Sequence, residues 1–302
     1  MLGAGAVGGC LGGYLAYKGE NVTFIARGKH LDAIRENGLR IIDSPFGDIC
    51  IKDAKAMTCT DYQDKADVIF VCVKDYSLGD LYPFIERAAH ENTFILPILN
   101  GLDVGEHIAE HVHTGIVLGG AIYISAFIRE PGVIANIAGN TGGLLMGELS
   151  GGCMHSAELE NLAETIRNAG VKVEISDNIG QDIFRKFMCV SAISATNCFF
   201  NTPMGEIRHP GPQRALIACC IRELLNIADM KGYVYEEDQT ADIMSRVDNM
   251  EYGATTSMQR DWAAGRECEI DAQIYEPVRI GEKMGLYMPA YRLVSEKLGF
   301  KG

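Results

Sequence analysis

Apolar and polar positions along the 302-residue chain fall into two regimes. In the first, short apolar runs are separated by amphipathic stretches. Asn21-Val-Thr-Phe-Ile-Ala, Asp67-Val-Ile-Phe-Val-Cys-Val and Thr93-Phe-Ile-Leu-Pro-Ile-Leu are nearly continuous apolar runs, as in strands buried on both faces of a parallel sheet. A helix is predicted from the second glycine-flanked turn to Gly19, and another over about 30–37, stopped by Gly38. Ile116 to Phe127, Gly132 to Ile137 and Leu144 to Glu148 read as strands completing the sheet, with turns at Glu130-Pro-Gly and Ala138-Gly-Asn. After Ser150-Gly-Gly the pattern predicts a helix over about 156–169 and then the strand Val171-Lys-Val-Glu-Ile. Past a boundary between Ser176 and Asp182 every pattern has the helical period, with helices predicted over about 181–200, 210–231, 237–264 and 271–285. The expected architecture is α/β: a parallel-sheet domain over 1–178 followed by an all-helical domain over 179–302.

The start of the chain says what the sheet carries. Gly3, Gly5 and Gly8 spell G-x-G-x-x-G, and a helix and a second strand follow at the spacing of a dinucleotide-binding βαβ unit. The first glycine makes the turn out of a strand, the second lets backbone approach a pyrophosphate, and the third lets the helix pack on the sheet. Gly3, Gly5, Ala6, Val7 and Gly8 are therefore the expected phosphate-binding residues, at a helix N-terminus where free N–H groups favour negative charge. Gly9, Gly12 and Gly13 extend the run of small residues, as for a helix lying very close to its neighbours. Only Met1 and Leu2 are available for the strand before Gly3. The expectation is that further residues precede Met1, because a parallel sheet without its middle strand would expose its core.

Arg27 stands where NAD-binding units usually carry an acidic ligand for the ribose 2′-hydroxyl. A guanidinium suits a 2′-phosphate, so NADP is expected over NAD; the alternative is a solvated arginine in a turn. Lys74 and Asn100 follow the ends of two neighbouring strands, the region where such sheets bind the nicotinamide and substrate.

Composition narrows the field. A net charge of −13 argues against a general nucleic-acid binder. The ten cysteines form no C-x-x-C pair, and with no signal-peptide pattern they read as reduced thiols of a cytoplasmic protein. Phe187 to Phe200 is too short and too polar to span a bilayer. His107-Ile-Ala-Glu-His111 matches the H-x-x-E-H of some zinc proteases. Ile108 and Val112 supply an apolar face that would put both histidines on the solvated side of a helix, so no metal site is expected.

In the second half, Lys186, Val190, Ile193 or Ser194, and Asn197 recur at helical spacing on one face. Alone, Lys186 is either a surface lysine at a helix end or an acid facing a cleft. Ser257 and Asp261 stand four apart, and Arg266-Glu-Cys-Glu269-Ile-Asp271 is, alone, a charged turn.

Taken together these pieces resemble the ketopantoate reductase (2-dehydropantoate 2-reductase) family over nearly the whole chain. The resemblance rests on Gly3-x-Gly5-x-x-Gly8, Val73-Lys74, Asn100-Gly101, Arg185-Lys186-Phe187, Pro203-Met-Gly-Glu206-Ile, Ser257-Met and Gly265-Arg-x-x-Glu269-Ile-Asp271. It implies that NADPH reduces a 2-keto acid, with Lys186 as general acid and Glu269 orienting it. It further implies that Ser257 binds the substrate carboxylate and that Lys74 and Asn100 lie at the cofactor–substrate junction. Ser194 and Asn197 are further candidates for substrate contact. The family commonly carries asparagines four and eight residues after the lysine, where this chain has Val190 and Ser194, which weakens 2-dehydropantoate as the substrate. Two other readings compete: a hydroxyacid or opine-type dehydrogenase of the same architecture, and a sensor that binds NADPH without turnover. A sensor would not need Lys186, Ser257 and Glu269 together. No nucleic acid or membrane is expected as partner, and the sequence leaves the oligomeric state open between monomer and homodimer.

Overall fold

Met1 and Leu2 lie in the place of the first strand. In the structure, a computed structural model that describes residues 1–137, 139–149 and 156–300, Leu2 bridges Ile25 and Val71, parallel to both. The Leu2 N–H donates to the Phe70 carbonyl at 2.8 Å, and the Leu2 carbonyl accepts from the Cys72 N–H at 2.8 Å. Leu2 is thereby the central member of the sheet, and its side chain is buried.

The chain divides into two units, Met1–Leu99 with Asp103–Asp182, and Asn100–Leu102 with Ile183–Gly302. The first contains α1 (Ala6–Tyr17), β1 (Thr23–Ile25), α2 (Gly28–Asn37), β2 (Leu39–Ile42), β3 (Ile49–Ile51), β4 (Lys55–Met57), β5 (Ala66–Val71) and α3 (Tyr82–Ala88). It continues through β6 (Ala89–Pro97), α4 (Val104–His111), β7 (Ile116–Tyr123), β8 (Ala126–Glu130), β9 (Val133–Asn136), β10 (Gly143–Glu148), α5 (Ala157–Asn168) and β11 (Lys172–Ile175). The main sheet runs β4-β1-Leu2-β5-β6-β7-β10-β11. All neighbours are parallel except β7 and β10.

The strands after residue 116 do not all complete this sheet. The predicted run Ile116 to Phe127 breaks after Tyr123, and β8 and β9 leave to join β2 and β3 in a second sheet, β3-β2-β9-β8. Ala138 of the predicted turn and the Ser150-Gly-Gly turn lie outside the described residues. Helix α1 packs between the two sheets, which is why it is apolar all round. A Cβ on Gly12 would come within 2.7 Å of the Phe24 ring in the main sheet. On Gly9 and Gly13 it would overlap Ile134 and Ile41 of the second sheet. On the opposite face Ile85 of α3 and Ile108 of α4 bury Ile69, Val71 and Ile95.

The second unit contains most of α6 (Ile179–Phe200), then α7 (Pro212–Met230), α8 (Gln239–Asn249), α9 (Ser257–Ala263), α10 (Glu276–Lys283) and α11 (Pro289–Lys297). The stretch predicted as one helix over 237–264 is two, α8 and α9. The segment between them is held elsewhere: the N–H groups of Gly205 and Met204 donate to the carbonyls of Tyr252 and Ala254, each at 2.9 Å. Helix α11 lies beyond every predicted helix. Glu223 of α7 caps it, accepting from the N–H groups of Ala290 at 2.6 Å and Tyr291 at 3.0 Å. The core of this unit joins Met188 and Ala192 of α6, Ile221 and Leu224 of α7, Val278 of α10 and Val294 of α11.

Candidate active site

The glycine turn follows Leu2, where the strand order reverses and open α/β sheets bind their ligands. Each motif glycine meets a different constraint. Gly3 has φ +93°, and a Cβ there would lie 2.9 Å from the Cys72 carbonyl oxygen at the end of β5. A Cβ on Gly8 would overlap the Gly3 carbonyl oxygen. Gly5, by contrast, has nothing within 4 Å of where its Cβ would be. That open side, beside the helix-opening N–H groups of Gly5, Ala6 and Val7, fits a pyrophosphate approaching the backbone. Arg27 caps α2 directly after β1, with its side chain exposed, and makes no side-chain hydrogen bond or ion pair among the described residues. Lys74 follows β5, is half-buried, and opens a 3₁₀ turn over Asp75–Ser77.

One residue of this region escaped the sequence analysis. His30, on the first turns of α2, hydrogen-bonds the Ala4 carbonyl through Nε2 at 2.8 Å. Its Nδ1 accepts from the Gly132 N–H at 3.1 Å. Accepting at Nδ1 puts the proton on Nε2. Burial lowers the pKa of the ring below its ordinary value, with the bond to Ala4 opposing. A histidine whose partners lie 26 and 102 residues away leaves no local trace in the sequence.

In the second unit Lys186 and Glu269 are both buried, at 8 % and 4 % exposure. Burial pushes the Lys186 ammonium down to a pKa of about 8, and the charge of Glu269 acts against that shift. Glu269 stands just before a π-helical turn, Asp271–Tyr275, and its carbonyl accepts from the Gln273 N–H at 3.0 Å. Such turns re-aim the residues beside them and recur at functional sites. The other charges of this segment serve the surface: Asp271 pairs with Arg279 at 2.6 Å and Arg266 with Asp261 at 2.8 Å.

Ser257 is the first residue of α9 and half-buried, with its hydroxyl unpartnered among the described residues. Asn100 is half-buried and packs with the second unit. On α6 the helical rise separates Lys186 from Ser194 by about 12 Å and from Asn197 by about 16 Å. A six-carbon keto acid spans about 6 Å from standard bond lengths. Ser194 and Asn197 are fully buried, and the Asn197 amide donates to the Met204 sulfur at 3.3 Å. Of that face, only Val190 stands one turn from the lysine. His107 and His111 lie on the exposed side of α4. His111 stacks on Tyr82 with ring centroids 4.5 Å apart.

A dinucleotide-binding sheet with its glycine turn, and a helical unit holding a buried lysine beside a glutamate, define an NAD(P)H-dependent oxidoreductase acting on CH–OH groups. The chain belongs to the ketopantoate reductase family: the ketopantoate reductase PanE/ApbA model matches residues 1–151, and the model of its C-terminal domain matches residues 178–301. It is similar to a 2-dehydropantoate 2-reductase of Pyrococcus horikoshii, 28 % identical over 90 % of this chain and 86 % of that one. It is also similar to an uncharacterized oxidoreductase, YkpB, of Bacillus subtilis, 27 % identical over 90 % of this chain and 88 % of the relative. The crystal structure of 2-dehydropantoate 2-reductase from Geobacter metallireducens GS-15 superposes with a TM-score of 0.89 at 25 % identity, covering 98 % of this chain and 97 % of that one.

Proposed function

We propose that this chain reduces a 2-keto acid with NADPH in the cytoplasm, with 2-dehydropantoate as the first candidate substrate and Lys186 as the general acid. The observation that carries the reading is the buried lysine, whose pKa of about 8 is held up by Glu269. When bound, NADPH supplies the hydride. As negative charge develops on the ketone oxygen, the Lys186 ammonium stabilises it and donates the proton. Glu269 keeps the lysine charged despite its burial. Ser257 receives the substrate carboxylate, and Lys74 and Asn100 border the nicotinamide. Gly3, Gly5, Ala6, Val7 and Gly8 hold the pyrophosphate, and Arg27 the 2′-phosphate. On this reading 1–178 is the cofactor domain and 179–302 the catalytic one.

Lys186→Ala tests the assignment. Turnover should fall by about 10²–10⁴-fold, the usual worth of a positioned acid, while NADPH affinity changes less than threefold. Near-normal turnover would remove Lys186 from the chemistry.

A second reading, a different 2-keto acid, is favoured by Val190. Valine offers no hydrogen bond one turn from the lysine, and Asn197 lies too far along α6 to stand in. Specificity constants over a panel of 2-keto acids with NADPH distinguish the two readings.

A further inference from the structure

Among the described residues, one side chain ties the glycine turn to the second sheet without belonging to the glycine motif. His30 donates from Nε2 to the Ala4 carbonyl at 2.8 Å and accepts at Nδ1 from the Gly132 N–H at 3.1 Å. Gly132 lies in the hairpin between β8 and β9, and its own carbonyl accepts from the Arg40 N–H of β2 at 2.9 Å. The hairpin is pressed against α2, since a Cβ on Gly132 would lie 3.2 Å from the Ala33 Cβ. The ring is therefore held from the side of the second sheet and holds the turn in its place.

The Ala4 carbonyl belongs to the peptide that leads into Gly5. A trans peptide is planar, so its C=O and N–H point in opposite directions. Fixing the Ala4 carbonyl toward His30 fixes the Gly5 N–H on the opposite side of that peptide, away from the ring. The Ala4 N–H, in the preceding peptide, is committed to the Ile25 carbonyl at 3.0 Å, so the backbone is restrained on both sides of the Ala4 Cα.

We propose that His30 is a positioning residue for the dinucleotide, holding the Ala4–Gly5 peptide so that its N–H faces the pyrophosphate. This rests on the reading of the glycine turn as an NADPH site. Only the neutral Nε2–H ring can fill the role. A second proton at Nδ1 would face the Gly132 N–H, donor against donor. On its own helix the neighbouring charges are Arg27, Lys29, Asp32 and Arg35; the hairpin brings Arg129 and Glu130; Met1–Val7 brings no ionisable side chain, only the Met1 α-amino group, which donates to the Thr23 carbonyl and which burial pushes down to a pKa of about 6. None of these charges contributes to the lowered pKa of the ring.

Three proteins test the role: wild type, His30→Gln and His30→Phe, titrated with NADPH by fluorescence between pH 5 and 8. Glutamine keeps a donor and an acceptor about as far apart as the two ring nitrogens and does not titrate; phenylalanine keeps the volume alone. For wild type, the dissociation constant should be flat near pH 8 and rise severalfold as the ring gains its proton below pH 6.5. His30→Gln should bind within threefold of wild type at pH 8 and show a shallower acid limb, the remainder coming from protonation of the cofactor's 2′-phosphate at about pH 6, which acts on all three proteins alike. His30→Phe should bind at least tenfold more weakly than wild type at pH 8, with the gap narrowing toward pH 5, and with the KM for NADPH rising more than kcat falls. Equal affinity of His30→Phe and wild type at pH 8, or an acid limb as steep in His30→Gln as in wild type, overturns the proposal and leaves the NADPH site standing. No NADPH binding by wild type at pH 8 overturns both.

Discussion

Lys186 carries a charge that its surroundings oppose and that one carboxylate supports, and under its proposed role as general acid the balance sets a pH limit on turnover. The lysine is cationic below its pKa of about 8 and loses its proton as the pH rises through that value. Keto-acid reduction should therefore decline above about pH 8, where the acid is spent. Glu269 raises that pKa, so Glu269→Gln should move the decline to lower pH, and activity at pH 8 should fall more than at pH 6. A kcat–pH profile of the two proteins checks this; an unmoved limb would detach Glu269 from the lysine. For Arg27, the proposed contact of its exposed guanidinium with a 2′-phosphate belongs at the lower end of charged hydrogen bonds, about 1.5 kcal/mol, or roughly tenfold. Arg27→Ala should weaken NADPH by about that factor and leave NADH nearly unchanged, and equal wild-type affinities for both cofactors would refute the preference. At this scale the sequence was readable where chemistry needs neighbours at short spacing, as in Gly3 to Gly8. It was silent about His30 and Glu223, whose partners are distant in the chain.

The turn from Leu2 into α1 separates two kinds of glycine. Gly5→Ala fits sterically, since nothing lies within 4 Å and φ is −70°. Thermal stability should stay within a degree or two, while NADPH affinity falls tenfold or more because the methyl group occupies the approach to the backbone. Gly8→Ala drives a Cβ into the Gly3 carbonyl, and should lower the melting temperature by several degrees before any ligand is added. Calorimetry beside a cofactor titration separates the two; similar melting temperatures for both variants would contradict the packing. Long, strongly periodic elements such as α5 and α7 were legible in advance. β2, β3 and β4 were not: they span three or four residues, and no longer apolar or alternating run surrounds them as one does β1, β9 and β11. The break between α8 and α9 was hidden because it is made by backbone bonds to residues 204 and 205, which helical periodicity cannot register.

Across the whole chain, the helical unit has a core of its own, formed by Leu102 and residues from Phe184 onward. The single tryptophan, Trp262, lies in that unit, so its fluorescence reports the second unit alone while circular dichroism follows both. NADPH at one hundred times its dissociation constant stabilises the protein that binds it by about 2.7 kcal/mol. In urea, the dichroism curve should gain a late component that the Trp262 curve lacks; coincident curves shifted equally would show one cooperative unit instead. For the proposed substrate, Val190 would leave the distal hydroxyl loosely read. The preference for 2-dehydropantoate over its deoxy analogue, 3,3-dimethyl-2-oxobutanoate, should stay below roughly a hundredfold. A larger ratio of specificity constants would show that residues other than 190 and 194 bind that group. The division into a sheet domain and a helical domain was legible because the apolar period changes once, near Ser176. The second sheet was not, since its strands come from distant parts of the first unit. That sheet leaves α1 pressed from two sides, Gly12 against Phe24 and Gly9 and Gly13 against Ile134 and Ile41. Among relatives these positions should therefore drift in pairs: wherever evolution has enlarged a glycine of the helix, the facing residue should have shrunk, so that the summed volume of each pair is inherited more faithfully than either residue.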